Sequence, residues 1–151
     1  LGLNDALVEM TGALAGFTMV LHDNRLIALA GFTTGIAATL SMAASEFFSQ
    51  KASSEGGGQP RMAAISTGIT YFITVVLLLL PYMLLPEPIV ALAVCMLIAA
   101  LIIFGFTWVD SFLRRTKFWR SFFQMLGVSF GVAIAIFLIS WLVRSWFGIE
   151  I

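Results

Sequence analysis

Three carboxylates and a thioether stand where a hydrophobic sequence has least use for them. Asp5 and Glu9 interrupt the first apolar run, and Met42 and Glu46 lie late in the second. An acid at the middle of a membrane helix costs about 2.5–3.5 kcal/mol on insertion scales, so such residues face protein or a water-filled path and carry function. Ionised carboxylate oxygens are ligands for divalent cations and must shed their protons to bind. A methionine sulfur is soft and tilts a site toward transition metals and away from magnesium or calcium. Carboxylates crowded in a low dielectric hold protons that an arriving cation displaces, so this set suits metal movement coupled to protons.

The spacing puts the four residues together. With a rise of roughly 1.5 Å per residue, Asp5 and Met42 each lie about 24 Å below the loop joining the first two runs. Glu9 comes out at about 18 Å and Glu46 at about 30 Å. At about 100° per residue, Asp5, Glu9, Gly12 and Gly16 fall within about 60° of one another. Gly31, Gly35, Ala38, Met42 and Glu46 fall within about 80°. Each helix thus has a GxxxG pair in one half and polar ligands in the other. GxxxG lets helix backbones approach closely, which predicts a homodimer built on Gly12, Gly16, Gly31 and Gly35, with the acids buried on the same faces. A third pair, Gly127 and Gly131, lies in the last run.

Each residue also has a plainer reading. Asp5 and Glu9 begin a helix, where acids suit the positive dipole end. Met42 alone is an adaptable core filler. Glu46 ends its helix, the unfavourable end for an anion, and needs a partner such as Lys51 or a metal. Their shared depth and matched faces favour the metal reading.

The elements that position these groups follow from composition. The 151 residues are 60% hydrophobic and 11% charged, with a mean hydropathy of +1.03. Soluble domains run at about 45–50% apolar and 25% charged. The sequence therefore predicts an all-α integral membrane bundle of five transmembrane helices in a single domain, over residues 3–21, 26–48, 62–85, 89–109 and 122–146. Each run is near the roughly 20 residues that cross about 30 Å of hydrocarbon. Lys51, Arg61, Arg114, Arg115, Lys117 and Arg120 lie on one side and Arg25 and Arg144 on the other. The positive-inside rule then places the N-terminus in the cytoplasm and the C-terminus outside. Pro81 should kink or end the third helix. The stretch Arg114–Arg120 reads as a topology anchor, with anionic headgroups as the sharper alternative. His22 reads as a solvated loop residue, and Glu87, in the outer turn, is assigned no chemistry. The start at Leu1, without an n-region, reads as a trimmed edge and not as a signal peptide.

Other functions are poorly served. Zero net charge offers no field for nucleic acid. The single cysteine, Cys95, excludes an intrachain disulfide and reads as a small buried hydrophobe. No nucleophile–base pair or cofactor loop is visible, so an enzyme is not expected, and neither is a permanently bound cofactor.

Leu1–Thr18, reading LGLNDALVEMTGALAGFT, and Ser41–Gln50, reading SMAASEFFSQ, resemble the vacuolar iron transporter family. The resemblance is closest to its prokaryotic branch, whose members stand alone or follow a ferritin-like, rubrerythrin-like domain. It implies a homodimer that exchanges Fe²⁺, sometimes Mn²⁺, for protons along the dimer interface, in the cytoplasmic membrane of a prokaryote. Asp5, Met42 and Glu46 match the family's metal residues, and Glu9 is added from its geometry. Plant members carry a further acid where this chain has Thr34. They also have a glutamate-rich insertion where this chain has only Ser49–Arg61, with Glu55 and the run Gly56–Gly58. Fe²⁺ is the expected transported substrate, with Mn²⁺ or Co²⁺ as alternatives, by antiport out of the cytoplasm. The rival reading is a non-transporting membrane anchor for a ferritin-like iron-oxidising domain.

Overall fold

The computed structural model describes residues 2–53, 59–115 and 117–147, so Glu55 and Gly56–Gly58 lie outside the described residues. The chain forms five helices: α1 Gly2–Val20, α2 Asn24–Ser53, α3 Pro60–Leu84, α4 Pro88–Arg114 and α5 Phe118–Phe147. No strand occurs among the described residues. Four helices, α2 to α5, are each long and apolar enough to cross a membrane. α1 spans about 28 Å at roughly 1.5 Å per residue, but Asn4, Asp5, Glu9, Thr11 and Thr18 lower its hydropathy. It tolerates them because it packs against all four other helices, and Ala6, Leu7, Met10, Thr11 and Leu14 are fully buried.

Most helix ends reach beyond the predicted runs, because hydropathy marks the lipid-crossing part and not the helix. Lys, Arg and Gln propagate a helix well in water. α2 therefore continues past Phe48 to Ser53, and α4 past Val109 to Arg114. Arg115 then adopts the left-handed conformation, φ 53° and ψ 37°, and ends α4. Pro60 and Pro88 open α3 and α4, at the first position, where a missing N–H costs nothing. α3 runs one turn past Pro81 and ends at Leu84, the Leu85 N–H bonding the Pro81 carbonyl.

Polar groups inside the bundle are largely satisfied locally. The hydroxyls of Thr11, Thr18, Thr39 and Thr74 donate to carbonyls four residues back, as expected in an apolar medium. Thr18 also pairs with the Tyr82 hydroxyl at 2.7 Å. At the other end of α5, Arg144 donates to the Met19 carbonyl at 3.1 Å and so covers the C-terminus of α1. Cys95 is fully buried in the core with Tyr71, Val75 and Leu78. His22 is exposed in the α1–α2 connection. Outward faces carry exposed residues such as Leu29, Leu40, Ile69, Ile89 and Leu101, surface that suits lipid and would aggregate in water.

Candidate metal site

The glycine pairs of α1 and α2 are helix-packing residues within one chain. A methyl group at Gly12 would meet Ile136 at 2.8 Å, and one at Gly16 would meet it at 2.9 Å. α5 therefore lies directly on that face. At Gly31 a methyl would meet Leu79 and Leu14, and at Gly35 it would overlap Val75. The close helix packing expected of these four glycines is thus met within one chain, where α5, α3 and α1 fill their space. Angular arithmetic identifies a close-packing face but not which helix covers it. Gly127 and Gly131 are the opposite case, with nothing within 4 Å of an added methyl.

The same packing creates the site. α5 closes on α1 at Gly12 and Gly16. Toward the N-terminal turns of α1, Gln124, Met125 and Val128 of α5 face Asn4 and Asp5 across open space. A cleft of about 830 Å³ opens there, lined by Asn4, Asp5, Glu9, Met42, Asp110 and Gln124, among others. A second cleft, of about 510 Å³, lies between α1 and α2 and is lined by Glu9, Thr34, Ser41 and Met42 with neighbouring small residues. Glu9 and Met42 belong to both clefts and join them.

Asp5 and Glu9 are exposed on the surface of the single chain. Burial on the glycine face was expected; the acids instead look into open clefts. Met42 is half-buried beside them. Glu46 is half-buried too, but lines neither cleft; its Oε1 accepts from Gln50 at 2.9 Å.

Residues missed in the sequence complete the picture. Asp110 falls just past an apolar run and reads as loop, yet the extension of α4 carries it into the larger cleft. Asn4 lines that cleft with a buried Oδ1 that has no hydrogen-bond partner among the described residues, a neutral oxygen of the kind hard cations accept. Tyr71, fully buried on α3, donates its hydroxyl to Glu9 Oε2 at 2.5 Å. Asp110 lies one helical turn after Phe106, which was a usable signal for the first if the helix runs on; nothing local marks the other two.

Among the described residues, no three His, Cys, Asp or Glu side chains converge tightly enough to hold a metal. The acids are strung along the clefts and not gathered into one coordination sphere. The arrangement can offer a cation successive oxygen ligands and the sulfur of Met42 along the exposed side of α1, with that of Met125 across the larger cleft.

No curated protein matches the chain. A family model does: that of the VIT family, over residues 1–57 and 52–141. With the four apolar spans, this makes the chain an integral multi-pass membrane protein concerned with metal-ion transport. The all-helical bundle and the matches that together cover most of its length lead to one conclusion: the chain belongs to the VIT family, the vacuolar iron transporters.

Proposed function

We propose that two copies of this chain exchange Fe²⁺ for protons across the cytoplasmic membrane of a prokaryote, moving the metal out of the cytoplasm. The observation that carries this reading is the placement of Asp5, Glu9 and Met42 in two joined clefts open on one face of the chain. Carboxylates at membrane depth are not left facing hydrocarbon. A second copy covers them, and the same contact supplies the ligands that one copy lacks. Gly127 and Gly131 support this face, because they lie on the same side of α5 as Gln124 and Val128, which line the larger cleft. An open GxxxG surface beside a polar path is suited to close helix contact between copies.

Coupling follows from the ligands. A carboxylate binds either a proton or a metal. Metal entering from the cytoplasmic side displaces protons, and protons arriving from outside displace the metal. The thioether of Met42 favours Fe²⁺, Mn²⁺ or Co²⁺ over Mg²⁺ and Ca²⁺. The excess of lysine and arginine beside the α2–α3 and α4–α5 connections orients the N-terminus toward the cytoplasm. Metal delivery falls to a separate or upstream ferritin-like domain.

The test is Fe²⁺ flux in liposomes of the purified chain at several imposed pH gradients, with a pH dye trapped inside. Flux that rises with acid on the receiving side, matched by proton counterflow, is expected. Flux without counterflow would point to a channel, and no flux at all would end the transport reading.

A further inference from the structure

α3 contributes no residue to the lining of either cleft. Its Tyr71 nevertheless reaches the site. The ring is fully buried in the core with Leu7, Met10 and Val75, and the hydroxyl donates to Glu9 Oε2 at 2.5 Å. A buried hydroxyl needs an acceptor. The threonines of this bundle find one on their own helix, four residues back. Tyr82, the other fully enclosed tyrosine ring, pairs with neutral Thr18. Tyr71 instead crosses between helices to a carboxylate, which gives a shorter and stronger, charge-assisted bond. The other titratable groups lining the larger cleft with Glu9 are Asp5 and Asp110, acids that cannot hold its carboxylate by attraction.

We propose that Tyr71 is a positioning residue for the metal path. Anchored by its buried ring, it fixes the Glu9 carboxylate where the two clefts meet, so that a divalent cation encounters a preset ligand. The inference rests on the transport reading above. A carboxylate has about four lone-pair sites, so one accepted hydrogen bond leaves capacity for a cation. A long, flexible glutamate held in advance has less rotamer freedom to lose when the metal arrives. Partners that orient a metal ligand typically change affinity by about 10–100-fold when removed.

The experiment measures Fe²⁺ flux in liposomes against Fe²⁺ concentration for wild type, Tyr71→Phe, Glu9→Gln, Glu9→Asp and the two double variants. Tyr71→Phe should raise KM by about 10–100-fold, with most of its loss in KM and not in maximal flux. Glu9→Asp withdraws the carboxylate from the hydroxyl by one methylene and should raise KM over the same range. Adding Tyr71→Phe to either Glu9 variant should change KM less than about twofold, since nothing is left to position. Should Tyr71→Phe fail to fold, Tyr71→Met, which also lacks the hydroxyl, takes its place with the same expected rise in KM and the same criteria. A KM within twofold of wild type in Tyr71→Phe, an unchanged KM in Glu9→Asp, or the same factor in every background would overturn the proposal. If wild type transports and Tyr71→Phe matches it, this proposal alone falls. If wild type shows no flux, the transport reading falls and takes this one with it.

Discussion

Replacing Gly12 and Gly16 together by alanine should loosen α5 from α1 inside a single chain. The added methyl at Gly12 would stand 2.8 Å from Ile136 Cδ1 and 3.1 Å from Val132 Cγ1. At Gly16 it would stand 2.9 Å from Ile136 Cγ2 and 3.1 Å from Ser140 Oγ. Carbon atoms prefer about 3.5–4.0 Å, so both methyls intrude on one isoleucine, each at a different branch of its side chain. Cδ1 is the flexible end of that side chain and can swing away, which makes Gly12→Ala alone nearly neutral. Cγ2 is attached at the branch point, whose rotamer is stiff in a helix. With both methyls present Ile136 has no direction in which to yield, and α5 must move. Overpacking costs about 1–3 kcal/mol per site, and alanine returns up to about 1 kcal/mol per site in helix propensity. The double variant should therefore lose about 0–4 kcal/mol with the full return and up to about 6 kcal/mol without it, in either case more than the sum of the singles, because the sites couple through Ile136. Unfolding in detergent, followed by tryptophan fluorescence, measures this. Ile136→Ala should destabilise wild type but stabilise the double variant. Equal destabilisation by Ile136→Ala in both backgrounds, or strictly additive glycine effects, would refute the packing argument.

Asp5→Asn keeps the shape of the side chain and removes its charge; Fe²⁺ flux should fall by about 100-fold or more, beyond the effect of losing an orienting partner, and proton counterflow with it. Met42→Leu conserves volume and should cost under about 1.5 kcal/mol of stability, while competition by Mg²⁺ against Fe²⁺ becomes stronger; unchanged selectivity would return Met42 to the core. Gly127→Leu with Gly131→Leu starts each new side chain in open space, since a Cβ at either position meets nothing within 4 Å, so stability against unfolding should rise by up to about 1 kcal/mol per site from helix propensity while crosslinked dimer falls; undiminished crosslinking would place the dimer elsewhere. Asp110→Asn should lower flux several-fold at low Fe²⁺ and little at saturation, and equal flux at every concentration would remove Asp110 from the path.

The sequence by itself determined the five helices, because apolar runs of span length separated by short polar breaks leave the backbone no other way to be satisfied in lipid. It also singled out Asp5, Glu9 and Met42, because an acid inside such a run is expensive enough to need a reason. It showed less about helix ends: Lys51 and Asp110 extend α2 and α4 past the apolar runs, where hydropathy no longer tracks helicity. Tertiary structure alone decided who covers which face. Gly12 and Gly16 admit α5 while Gly127 and Gly131 stay open, although all four share one motif. Glu46 turned to Gln50 and left the clefts, and Asp110 entered one. Tyr71, an aromatic in an apolar run, reads as core filler, and its bond to Glu9 joins residues 62 positions apart. Such a contact depends on the rotation and depth of two helices relative to each other. Packing of the whole bundle sets those, and no local spacing encodes them.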